Sequence, residues 1–170
     1  MFRRLLIAAV ALSLSACATV QKLDAAGDVH ALLISIRDSD DATFDTLVDR
    51  RALKREIEGR LVRQAGQDQR LTGLAAILAP GLAELAGEAL IQPDVFRAVA
   101  EYYGYTPDMR IPGPLAISQQ LRPLPDGRVC AVKKKDGPCL LIFTHAADGH
   151  WKLSGFEGDL SMLRLKHRPA

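Results

Sequence analysis

The 170-residue chain lacks most of the arrangements that catalysis is built from. It has no Gly-x-Ser-x-Gly, no His-Glu-x-x-His, no glycine-rich phosphate loop and no Cys-x-x-Cys. No nucleophile can be paired with a base, so a hydrolase ranks last and a non-enzymatic protein without a cofactor is expected. An excess of one charge is missing too, with 22 Lys and Arg against 20 Asp and Glu. Nucleic acid is therefore excluded as a partner, because displacing counterions from phosphate needs a concentrated basic surface. Long apolar runs are scarce. Residues 5–14 are too few to cross a bilayer. Residues 71–91 are long enough, but they carry Pro80-Gly81 at the centre, Glu84 and Glu88 one turn apart, and Gly73 and Gly87. They read as two buried helices broken at Pro80.

What the chain does have begins at its first residues. Arg3 and Arg4 precede the apolar stretch, which closes on Leu14-Ser15-Ala16-Cys17. A basic start, a short apolar core and small residues at a cut are the three parts of an export signal. Ala16-Cys17-Ala18 also satisfies the small-x-small rule of ordinary secretion. The four residues ending at Cys17 closely resemble the lipobox of bacterial lipoproteins. The resemblance implies a diacylglyceryl group on the Cys17 thiol, cleavage just before it, and an acylated new amino group. Two or more acyl chains, each buried methylene adding about 0.8 kcal/mol, make such an anchor durable. Position 18 is Ala rather than Asp. In a Gram-negative host this points to the periplasmic face of the outer membrane.

Setting residues 1–16 aside leaves a tether over residues 17–27, small and mostly polar, and a domain over residues 28–170. Arg3 and Arg4 leave with the signal, so the excess of 22 basic over 20 acidic residues disappears. Of three cysteines, Cys130 and Cys139 remain, an even pair in a compartment that oxidises thiols. They flank the turn signal Lys135-Asp136-Gly137-Pro138. A tight Asp136-Gly137 turn sets Cys130 opposite Phe143 and too far from Cys139. A wide loop lets the two thiols meet, and a disulfide is expected on that basis.

Helices come first and a sheet follows. Asp28 reads as the N-cap of a helix bearing Val29, Leu32, Leu33 and Ile36, ending at Asp38-Ser39-Asp40-Asp41. Asp41 caps a short helix with Phe44, Leu47 and Val48, and Asp49 caps the next, with Leu53, Ile57 and Leu61. Pro93-Asp94 starts another through Tyr102, stopped by Gly104. Strands are expected over residues 116–121, 128–133, 139–146 and 151–156. The hairpin-length connections make the sheet an antiparallel meander. A two-residue turn at Asp148-Gly149 places Ile142, Thr144, Ala146, Trp151 and Leu153 on the core face. The fold class is α+β, with N-terminal helices on one face of a four-stranded C-terminal sheet.

Four stretches carry a second resemblance: Ile36-Arg37-Asp38-Ser39-Asp40, Phe44-Asp45-Thr46-Leu47-Val48-Asp49, Ile91-Gln92-Pro93-Asp94-Val95 and Gly149-His150-Trp151-Lys152-Leu153. Their order is similar to that in a family of proteobacterial envelope proteins, the domain of unknown function numbered twenty-nine thirty-nine. That family implies no activity. Its members tend to carry an Arg soon after the Val-Asp pair, where this chain has Lys54 among Arg50, Arg51 and Arg55.

Candidate contact residues are few. The basic outer side of the third helix, Arg51 and Arg55 within it, can meet anionic lipid, glycan or a partner, although a solvated face explains it more simply. Tyr102, Tyr103 and Tyr105 can rim a pocket or merely pack a helix end. His145 and His150 fall on the face away from the core with no third ligand nearby, so no metal is expected. The reading is a membrane-anchored lipoprotein whose domain binds an envelope protein or supports an assembly. The alternative is a carrier of a small apolar ligand held between helices and sheet.

Overall fold

The computed structural model describes residues 2–67, 89–102, 105–134 and 136–157. Five described helices, α1 (Phe2–Asp38), α2 (Asp41–Leu47), α3 (Arg50–Gln67), α4 (Pro93–Tyr102) and α5 (Pro114–Ser118), precede four strands. These are β1 (Leu121–Pro123), β2 (Val129–Val132), β3 (Cys139–His145) and β4 (Trp151–Phe156), antiparallel in the order β1-β2-β3-β4. The chain is α+β, with its helices ahead of an antiparallel meander. Most of residues 71–91 and Gly104 lie outside the described residues; Ile91, at the edge of that stretch, is buried.

The helix ends sit where short polar side chains can take over backbone hydrogen bonds. α1 stops at Asp38 because Ser39 turns left-handed, with φ 54°, and Asp40 N donates to Ser35 O at 2.9 Å. Asp40 rather than Asp41 is the N-cap of α2: its carboxylate accepts from Thr43 N at 3.1 Å and Thr43 Oγ1 at 2.6 Å. Asp49 caps α3 by accepting from Ala52 N at 2.9 Å.

Segment 17–27 is not a loose tether. It is helical throughout, and Ala25 and Ala26 are 0% exposed. Asp28 consequently caps nothing in its own helix; it lies in the middle of α1. Small residues suggest a linker by composition, yet they are also what lets a helix approach a sheet closely. Here Ala25 and Ala26 pack in one cluster with Val29, Leu32 and Ile36 of α1, Phe44, Leu53 and Ile57 of α2 and α3, and Val129, Phe143, Trp151 and Leu153 of the sheet.

Two further expectations are corrected. Residues 116–120 form no strand. Pro114, with φ already fixed near the helical value, starts α5 and turns Ile117 into the core, leaving Leu121 to begin β1. The β3–β4 loop is also one residue wider than a two-residue turn. Ala146 N donates to His150 O at 2.8 Å, and Gly149 takes the left-handed conformation, φ 89°, that a three-residue loop needs. His145 therefore pairs with Trp151 and Phe143 with Leu153. Trp151 and Leu153 do face the core, at 4% and 1% exposure, but Phe143 replaces Ile142 and Thr144 beside them. Thr144 pairs with Lys152 and hydrogen-bonds Ser154 at 2.7 Å on the opposite face. Ile142 packs there too, with Cys130, Val132 and Cys139.

Asp126 and Asp148 stabilise the two hairpin loops in the same way. Each accepts from the backbone N–H two residues on, at 3.2 Å, and each meets a nearby cation. The Arg128 guanidinium holds the Asp126 carboxyl below the usual carboxylate range, and the Lys152 ammonium does the same for Asp148.

The register has a direct mutational signature. Trp151→Ala should cost about 3 to 5 kcal/mol, the range for removing a buried large aromatic side chain. Lys152→Ala loses an ion pair to Asp148 on the other face and should cost less than about 1 kcal/mol. Urea denaturation of both variants beside the parent checks this; a costlier Lys152→Ala would put the strand in the opposite phase.

Candidate functional site

One polar arrangement joins α1 to the sheet. Asp24 and Asp28 stand one turn apart, so both carboxylates reach the same neighbour. Asp28 Oδ2 accepts from Trp151 N at 2.7 Å, Asp28 Oδ1 lies 3.2 Å from His150 Nδ1, and Asp24 Oδ2 accepts from Trp151 Nε1 at 2.8 Å. The His145 ring meets Trp151 edge-on, with centroids 5.1 Å apart. Both histidines are exposed, as expected, but each has a neighbour: His145 packs on Trp151 and His150 meets Asp28. Elsewhere along α1, Gln21 Nε2 donates to Gly127 O at 2.9 Å, and His30 Nδ1 lies 2.8 Å from Pro112 O. α1 is thus pinned at three loops. Among the described residues, no three His, Cys, Asp or Glu side chains are grouped to hold a metal ion.

The same arrangement manages the outer edge of β4. An edge strand leaves backbone groups unpaired unless something covers them. Asp28 takes Trp151 N, Asp49 N donates to Leu153 O at 2.9 Å, and Arg60 Nη2 donates to Phe156 O. Val48 adds a single parallel bridge to Leu153. Two helices, α1 and α3, and the connection between α2 and α3 thus each supply one group to one strand.

Of the basic residues on α3, two are structural. Arg60 bonds Glu56 at 2.6 Å and lies 4.5 Å over the Phe156 ring. Arg50 bonds Asp45 and Ile91 O and lies 5.7 Å from the Phe44 ring centroid. Arg51 and Arg55 are exposed one turn apart on the outer side of α3. Tyr102 ends α4, with its side chain outside the described residues, as is Tyr103. Tyr105 is half-buried, and its hydroxyl, shielded from solvent, has no hydrogen-bond partner among the described residues.

Cys130 and Cys139 form a disulfide, with Cα atoms 5.6 Å apart. Cys130 lies opposite Ile142, and an irregularity between Ala131 and Val132 pairs Val132 with Cys139, which sets the cysteines diagonally across the two strands. The loop between the strands, residues 133–138, is wide. Closing a loop of roughly ten residues restricts the unfolded chain by somewhat under about 3 kcal/mol. Cys17 lies within α1, on the segment that leads into the packed helix.

The sequence gives Asp24 no role and Asp28 only a capping one, because their Trp151 partners are 127 and 123 residues away. Their spacing beside two alanines was the only local signal. Asp28→Ala should cost about 1 to 3 kcal/mol, because it strands a backbone donor that is partly buried. The same denaturation assay reads this, and a loss within experimental error would mean that α1 does not depend on that contact.

Comparison with curated proteins and with solved structures finds no match. Over residues 5–99 the chain matches the model of a family described as proteins of unknown function, DUF2939. The matched stretch takes in most of α1, all of α2 and α3 and most of α4, with Asp24, Asp28 and three of the four motifs that suggested the resemblance; Gly149-His150-Trp151-Lys152-Leu153 lies beyond it. With more than half of its length so matched, the chain belongs to the DUF2939 family.

Proposed function

We propose that the mature protein is a lipoprotein of the bacterial envelope, anchored through Cys17 to the periplasmic face of the outer membrane. Its α+β domain is a non-enzymatic module that binds an envelope protein or supports an assembly. The observation that carries the anchor is Leu14-Ser15-Ala16-Cys17, behind Arg3-Arg4 and a short apolar core. The Cys130–Cys139 bridge supports it, because disulfides persist in oxidising compartments. Support for a binding role is that the aspartates and two of the α3 arginines serve the fold, while Arg51 and Arg55 are exposed and available to a partner. The carrier alternative gains nothing from the described residues, since the layer between helices and sheet is filled by side chains of both.

Growing cells labelled with a radioactive fatty acid test the anchor. The parent should take up label and Cys17→Ser should take up none, while folding normally because the packed part of α1 starts after that position. Equal labelling of the two would contradict the proposal. Crosslinking in intact envelopes then separates the domain roles: a reproducible protein adduct supports the assembly module, and a lipid or metabolite found by native mass spectrometry would favour the carrier.

A further inference from the structure

We propose that the lipid bilayer surface is itself a binding partner of one end of the domain, the end formed by Val20, Lys22 and Leu23 of α1 and the β1–β2 turn at Gly127. This rests on the lipid-anchored reading above. The argument is one of length. Gln21 is fastened to Gly127 O at 2.9 Å, Asp24 to the Trp151 indole at 2.8 Å, and Ala25 and Ala26 are wholly buried. The packed protein therefore begins at Gln21, four residues after the acylated cysteine. Four residues span about 6 Å as helix and at most about 14 Å fully extended. The polar layer on each side of a bilayer is itself about 5 to 7 Å deep. With acyl chains in the hydrocarbon, Gln21 reaches headgroup level and the domain cannot tumble freely above the membrane.

The chemistry of that end agrees with its position. Val20 and Leu23, three residues apart on one helix face, are 67% and 43% exposed. Apolar side chains beside an acyl anchor gain by entering the interface, and a neighbouring Lys is drawn to anionic headgroups. Lys22 is on the same turn of α1, half-buried and on a different side of the helix. Of the nearby carboxylates, Asp126 is ion-paired with Arg128, and Asp24 keeps its charge while holding the Trp151 indole.

The only tryptophan reports on this directly, because Trp151 sits beside Asp24. The acylated full-length mature protein is reconstituted in vesicles of phosphatidylethanolamine and phosphatidylglycerol containing a dansyl-labelled lipid, and energy transfer from Trp151 is measured. Transfer should be strong in the parent. Inserting twenty Gly/Ser residues between Ala18 and Thr19, which adds a coil of roughly 25 Å, should reduce it at least about twofold. Val20→Glu with Leu23→Glu changes only exposed side chains and should also lower it. Circular dichroism in detergent confirms that each variant is folded. Equal transfer for parent and insertion, with the acyl groups verified by mass spectrometry, overturns the close apposition while leaving the anchor intact. Unchanged transfer in the glutamate variant removes the named surface. A parent without acyl groups overturns this inference together with the lipoprotein reading.

Discussion

The close approach of α1 to the sheet is the constraint on which the other contacts depend. Two alanines at the crossing remove side-chain bulk, and that alone brings the Asp24 and Asp28 carboxylates within reach of Trp151. The ring is buried by the same approach, and the indole and backbone N–H groups of Trp151 stay satisfied because the aspartates arrive with it. A larger side chain at Ala26 would push the helix out and unpair both donors at once. Packing and hydrogen bonding are coupled here, so neither can be weakened without the other.

From that crossing the helical half organises itself around β4. The α2–α3 connection bridges the strand at Val48 and Leu153, and α3 returns Arg60 to its far end, stacked on Phe156. Arg50 then ties α3 to the carbonyl of Ile91, just ahead of α4. The opposite face of the sheet is a smaller apolar patch closed by the disulfide, with Ile142, Val132 and Leu124 around it. Helices cover one face and a covalent bridge secures the other.

Local signals in the sequence were read well. The acidic cluster ends α1, Asp49 caps α3, Pro93-Asp94 opens α4, and alternation locates β2, β3 and β4, because each rests on neighbours within a few residues. The misread positions are those where one local pattern serves two structures. Small residues 18–27 suit a linker or a close-packed helix. Asp-Gly suits a two-residue or a three-residue loop, and the choice inverted the phase of β3 while leaving Trp151 correctly inside. A proline followed by Leu-Ala-Ile-Ser suits an edge strand or a helical turn. The Asp24–Asp28–Trp151 junction was illegible for another reason: its partners come from opposite ends of the chain, and nothing near either one names the other.

α1 is the first packed element among the described residues, and its contacts with the rest of the fold run from Gln21 onward. Residue-resolved hydrogen exchange on the native protein tests this most directly. The account predicts that amides from Ala25 to Ile36 exchange as slowly as those of β3 and β4, in one cooperative unit. Fast exchange through residue 27 followed by protection beyond Asp28 would contradict it and restore a flexible tether.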